Sequence, residues 1–242
     1  MSIKLLKKPT LEAEVEGLGK IYRADIPFNE ALESLKEEKA DIISSRELAY
    51  ARVKEGRNSS LSNYGCYTRE GFLYLKNEPV LLALDSPLLD LELAEKAVEA
   101  NKKGKYFSTN KEVYKKYREQ AEKEKKENPE NRKVLVLPER KNYEIPINSF
   151  NNNDLIRFLF KDQAENYGKF LIENKIKEIP VWLVNKNYIG SQEGTALIQL
   201  WLHHLGNWSG VDGGRSLDYS IRVRGVFGKP GEAGRVFEKG CN

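Results

Sequence analysis

The sequence predicts an α+β fold. Three observations lead there. Some stretches carry apolar residues at helical spacing, and others are short apolar or alternating runs bounded by turn residues. Apolar residues make up 40% and charged residues 31%, the balance of a chain with a packed core. There is no internal repeat, no long low-complexity tract and no run near the roughly 18 apolar residues of a membrane span.

The elements follow in order. Residues 3–26 read as extended, with Ile21, Ala24 and Ile26 leading to a break at Pro27. Phe28, Leu32 and Leu35 give a short amphipathic helix to Glu38. Ser44 or Ser45 caps a second helix reaching about Val53, and loop residues crowd between Gly56 and Asn63. Phe72–Leu75 and Val80–Leu84 read as two strands around the turn at 76–79. Ser86-Pro87 starts a helix running to about Asn101, with the proline at its first position. Thr109 and Glu112 have capping-box spacing for a helix that carries Val113, Tyr114, Tyr117 and Ala121 on one face and ends before Pro129. Val134–Leu137 and Tyr143–Ile147 read as strands, and 154–160 and 162–176 as helices, the second capped at Asp162. Ile179–Val184 reads as a buried strand with Pro180 near its start.

Composition removes several function classes. The two cysteines, Cys66 and Cys241, exclude a disulfide framework and read as free thiols. With two histidines they leave little for a zinc site, and no metal or cofactor is expected. No HExxH, GxSxG or phosphate-loop pattern occurs, so no catalytic residue is assigned. The N-terminal residues lack the apolar core of a secretory signal; a cytoplasmic location is the default expectation, with a surface role left open. Lys and Glu dominate the charges while Met, Cys and His are scarce, a bias like that of hyperthermophile proteins.

One segment differs from the rest. Gly194–Gly228 contains no Lys and no Glu, although the chain has 27 and 28 of them. Composition alone would place about eight there. Apolar anchors Leu200, Trp201, Leu202 and Leu205 open the segment, and Arg222-Val223-Arg224-Gly225-Val226 closes it with the alternation of a half-buried strand. Polar residues rich in Gly, Ser, Asp, Asn, His and Tyr are presented between these two fixed elements, the composition of adaptable binding surfaces.

The frame Leu200-Trp201-Leu202, Gly213, Arg215-x-Leu217 and Arg222–Val226 resembles the variable proteins of archaeal diversity-generating retroelements. In that family a reverse transcriptase miscopies template adenines, and the copy replaces the variable region. Mutated Asn codons reach Asp, His, Tyr, Ser, Gly and Ile, but not Lys or Glu. The resemblance implies a C-type-lectin-like fold with helical additions, one domain over 1–242, whose variable region at about 200–226 is displayed on one face. By position it implies that His203, His204, Gly206, Asn207, Gly210, Asp212, Gly214, Ser216, Asp218, Tyr219, Ser220 and Ile221 vary and bind ligand. Trp201, Trp208, Arg215, Arg222 and Arg224 would support the site, with Leu205, Val211, Leu217 and Val223 as scaffold. Trp208 departs from the pattern, because Trp cannot arise from an Asn codon. The arginines are expected to pair with carboxylates or carbonyls of the constant part. The partner implied is an unidentified ligand, a protein or cell-surface molecule, bound without catalysis.

The competing reading is nucleic-acid binding through residues 102–141, which hold 14 Lys or Arg against 7 Glu, interleaved with Tyr106, Phe107, Tyr114 and Tyr117. A solvated helix laced with Glu–Lys pairs explains the same stretch and is preferred.

Overall fold

A computed structural model describes residues 8–138, 141–185, 194–206, 209–214, 217 and 221–227, without the side chain of Ile221. The N-terminal part forms β1 (Thr10–Val15), β2 (Gly19–Ile26), α1 (Phe28–Glu37), β3 (Ala40–Ile42), α2 (Ser45–Glu55), the one-turn α3 (Ser60–Asn63), β4 (Cys66–Tyr74) and β5 (Leu81–Ala83). The middle forms α4 (Leu91–Lys102), β6 (Ser108–Thr109), α5 (Lys111–Glu127), β7 (Val134–Val136), β8 (Tyr143–Pro146), α6 (Asp154–Phe160) and α7 (Ala164–Glu173). β9 (Glu178–Trp182), β10 (Thr195–Leu202), β11 (Val211–Asp212) and β12 (Ile221–Phe227) complete it.

The strands join in one sheet, in the order β1-β2-β12-β4-β10-β11-β9-β8, with β3 on β12, β5 and β7 beyond β4, and β6 on β10. β12 runs parallel to β4, and β11 parallel to β9; the remaining pairs are antiparallel. The last strand among the described residues is therefore central, between β2 and β4.

Helices cover both faces. Ile198, Leu200 and Leu202 of β10 pack in one cluster with Leu48 of α2, Ile156 of α6 and Leu171 of α7. Leu197 and Trp201 pack in the other with Leu35 of α1, Val98 of α4 and Tyr114 of α5. Alternate strand residues point to opposite faces, so a strand covered on both sides is largely apolar and buried along its whole length, as Thr195–Leu202 is. Its two polar residues are both buried: the Thr195 hydroxyl donates to Asn110 O at 3.0 Å, and the Gln199 amide donates to the backbone carbonyls of Thr68 and Glu70 where the β10–β4 register shifts.

Local signals place most elements, and four differ from expectation. Ser44 caps α2 in a reciprocal capping box with Glu47, as the pattern indicates. Ser86-Pro87 opens only a 3-10 turn; α4 begins afresh after Asp90, whose side chain accepts from the Leu93 amide at 3.0 Å. Thr109 is taken into β6 opposite Thr195, and Asn110 caps α5 instead. Asp162 does not cap α7, because its carboxylate is held by Arg46 of α2 at 2.6 and 2.9 Å. The closing strand also departs from half-burial: Val223, Arg224, Gly225 and Val226 are all buried, since α1 covers one face and α2 and α3 the other.

Candidate functional site

β10 leaves the core at Leu202, and the chain turns out through His203 and His204 before returning as β11. The return is fixed by ladders: Leu202 faces Val211, Trp201 faces Asp212, and β11 lies parallel against Val181 and Trp182 of β9. The His203 amide donates to the Gly210 carbonyl at 2.9 Å and closes the loop at its base.

Side chains from outside the segment hold its backbone. Arg52 is 1% exposed and donates to His203 O at 2.8 Å, Leu61 O at 2.8 Å, Tyr64 O at 3.4 Å and the Tyr167 hydroxyl at 3.0 Å. Arg57 donates to Leu205 O at 2.7 Å, and the Leu205 amide reaches Ser62 O at 2.7 Å. The Tyr74 and Tyr106 hydroxyls donate to Gly213 O at 3.3 Å and Gly214 O at 2.9 Å. Asn101 Oδ1 accepts from the Leu217 amide at 2.7 Å. Leu205, Val211, Leu217 and Val223 are buried at 2%, 0%, 2% and 0% and bind the segment to the two cores.

The residues expected to vary fall into distinct environments. His204 and Gly214 are half-buried; a Cβ at Gly214 would meet only ordinary contacts, the nearest 3.4 Å away at Asp212 Oδ1. His203 is likewise half-buried, its ring 4.9 Å from that of Trp182 and 6.2 Å from that of Trp201. It meets Asp212 Oδ2 at 3.3 Å, while Asp212 Oδ1 accepts from the Gly214 amide at 2.7 Å. Two expected display positions do not suit display. Gly210 is buried, and a Cβ there would sit 2.6 Å from Pro180 O and against the Trp182 ring. Gly206 has φ of +149°, a backbone conformation that residues with a side chain rarely adopt. Asn207, Trp208, Arg215, Ser216, Asp218, Tyr219, Ser220 and the Ile221 side chain lie outside the described residues.

Three supporting residues have defined roles. Trp201 is 6% exposed and packs edge-on against Tyr67, with 5.0 Å between ring centres. Arg222 bonds its cross-strand neighbour Asp25 at 3.2 Å and stacks 4.0 Å over the Tyr64 ring. Arg224 is wholly buried; its Nε and Nη2 grip Glu12 at 2.7 and 2.9 Å, and it also donates to Tyr64 O and Ser60 O at 3.2 and 3.0 Å. Burial alone would raise the Glu12 pKa, but the hydrogen bonds and charge of Arg224 overcome it and hold the carboxyl below its ordinary value. Cys66 lies buried beside Arg224 as a free thiol, its pKa raised by loss of solvent despite the nearby arginines.

The arginines and tyrosines that grip the loop were not picked out by sequence reasoning. Arg52 and Arg57 sit on or after a capped helix, where basic residues are commonplace, and no local spacing ties them to His203 or Leu205. Among the described residues no group of three His, Cys, Asp or Glu side chains is placed to hold a metal ion, and no helix is long and apolar enough to cross a membrane. In the basic stretch, Tyr114 is 2% exposed and donates to Pro79 O at 2.6 Å, and Tyr106 serves Gly214. Those rings are committed inward, and the α5 surface carries ion pairs such as Lys115–Glu112 and Arg118–Glu122.

A central sheet with helices on both faces, and a segment after β10 clamped onto it, defines an α+β protein. A solved structure from work on the accommodation of massive sequence variation in Nanoarchaeota by the C-type lectin fold matches it with a TM-score of 0.64 and 14% identity, over 88% of this chain and 100% of that one. This chain has a C-type lectin fold. No protein-family model and no curated protein matches the sequence.

Proposed function

We propose that this chain is a variable ligand-binding protein of the diversity-generating retroelement kind, a single C-type-lectin-like domain that binds without catalysis. The observation that supports it most is the clamping just described. The backbone at His203, Leu205, Gly213, Gly214 and Leu217 is held by Arg52, Arg57, Tyr74, Tyr106 and Asn101, all outside the segment. Apart from Asp212, whose carboxylate accepts from the Gly214 amide, side chains that hold the loop backbone are thus separate from side chains the loop presents, so the latter can change at low cost to stability. The absence of Lys and Glu from Gly194–Gly228 supports the same reading, because adenine mutagenesis of Asn codons cannot produce them.

In this reading His204, Asp212 and Gly214 are presented, with Asn207, Ser216, Asp218, Tyr219, Ser220 and Ile221, and His203 at the inner margin. Gly206 and Gly210 are left out for the backbone and packing reasons given above. The ligand is a protein or another cell-surface molecule. Nucleic acid is not favoured, since the aromatic residues of 102–141 that would stack bases are turned inward.

The test is a set of variants carrying random residues from the reachable set at 204, 212, 214, 216 and 218–221. Most should melt within a few degrees of the parent. If most lose more than about 8 °C, folding depends on those side chains and the reading fails. The genome gives an independent check: a neighbouring reverse-transcriptase gene and a near-copy of the segment differing at adenines.

A further inference from the structure

We infer that Tyr64, backed by Arg222, is a fixed binding residue set within the varying surface, where it contacts a protein partner whatever sequence the varying positions carry. The inference rests on the display reading and goes beyond it, because Tyr64 lies well outside the segment thought to vary.

The topology puts it there. β4 lies between β10 and β12 in the sheet. The segment leaves at the end of β10 and returns at the start of β12, so its two arms flank the start of β4. Leu202 faces Cys66 across the β10–β4 ladder, which brings Tyr64 beside the corner at His203–His204. One guanidinium nitrogen of Arg52 spans both, donating to Tyr64 O at 3.4 Å and His203 O at 2.8 Å. On the other side Val223 pairs with Tyr67, and Arg222 reaches back over the Tyr64 ring at 4.0 Å.

The side chain is built for contact. Tyr64 is 52% exposed, whereas Tyr67, three residues on, is 1% exposed. Its backbone carbonyl is held by Arg52 and Arg224, and its ring is held by Arg222, itself tied to Asp25. A large ring already fixed by a stacked cation loses little freedom on binding, and Tyr and Arg are enriched among the residues that carry binding energy at protein surfaces. A fixed anchor supplies affinity common to all variants, and the varying residues then discriminate among partners.

The experiment displays the full chain on yeast with positions 204, 212, 214, 216 and 218–221 randomised, and selects binders to hen egg-white lysozyme. Tyr64→Ala and Tyr64→Phe are then introduced into each independent binder. Tyr64→Ala should weaken most of them about tenfold or more, with melting temperature within a few degrees, and Tyr64→Phe should retain most of the affinity. Unchanged affinity in most Tyr64→Ala binders overturns the inference while leaving the display reading standing. A library that folds yet yields no lysozyme binders overturns both.

Discussion

Arg224 grips Glu12 with two nitrogens across 212 residues of chain, deep between β12 and β1, and the same guanidinium carries the carbonyls of Ser60 and Tyr64. One buried cation thereby joins the N-terminal strand, the short α3 turn and the strand that ends the candidate site. Breaking one partner of such a pair leaves a charge without compensation, at about 3–5 kcal/mol. Arg224→Met and Glu12→Gln should each lower unfolding free energy by about that much in denaturant titrations. The double variant Glu12→Leu with Arg224→Met should recover part of the loss. Because the folded Glu12 pKa is depressed, the pair contributes fully above the unfolded value of 4.5, and that contribution is lost as pH falls through the lower folded value.

Glu70 behaves in the opposite sense. It is buried on β4, where its carboxylate accepts from the Ser45 amide at 3.0 Å and the Ser45 hydroxyl at 2.9 Å. Burial pushes its pKa up to about 7, against the hydrogen bonds from Thr68 and Ser45 that pull it down. A folded pKa above the unfolded 4.5 means the native state holds the proton longer. The associated stability is present below pH 4.5 and declines as pH rises to about 7, by about 3 kcal/mol in total. Glu70→Gln should flatten that slope in stability measured from pH 4 to 8, and should be the more stable protein at pH 8. A slope unchanged by the substitution would refute the assignment.

Arg52 is the clamp at the base of the loop. Lysine in its place keeps the charge but cannot serve the carbonyls of Leu61, Tyr64 and His203 and the Tyr167 hydroxyl together. Arg52→Lys should cost roughly 2 kcal/mol and speed hydrogen exchange at the Leu205 amide. Equal exchange in both proteins would mean the loop is held by other contacts.

Two glycines of the segment should respond differently. Gly210→Ala must displace the Trp182 ring or Pro180 and should cost about 1–3 kcal/mol. Gly214→Ala meets only ordinary contacts and should change stability by less than about 0.5 kcal/mol. Thermal melts of the two variants compare them directly. His204→Ala should resemble Gly214→Ala.

Much of the fold was legible in short-range pattern. α1 follows from Phe28, Leu32 and Leu35, α2 from Ser44 and Glu47, and α5 from its apolar stripe, because caps and helical spacing act within a few residues. Two of the failures came where a distant partner competed for a capping residue: Arg46 took Asp162, and Thr195 drew Thr109 into a strand. β10 was only partly visible, through Leu200–Leu202, because a strand covered on both faces loses the alternation that marks one.

The sequence by itself determined that the 194–228 stretch is compositionally distinct and that apolar residues such as Leu205, Val211, Leu217 and Val223 are interleaved with its polar ones. It could not determine which acceptors its arginines meet, or that Tyr64 lies between the arms of the segment, or that Gly210 has no room. Those are distances between residues far apart in the chain, set by strand order. Strand order follows from how two cores close on a shared sheet, a long-range outcome that no local spacing encodes.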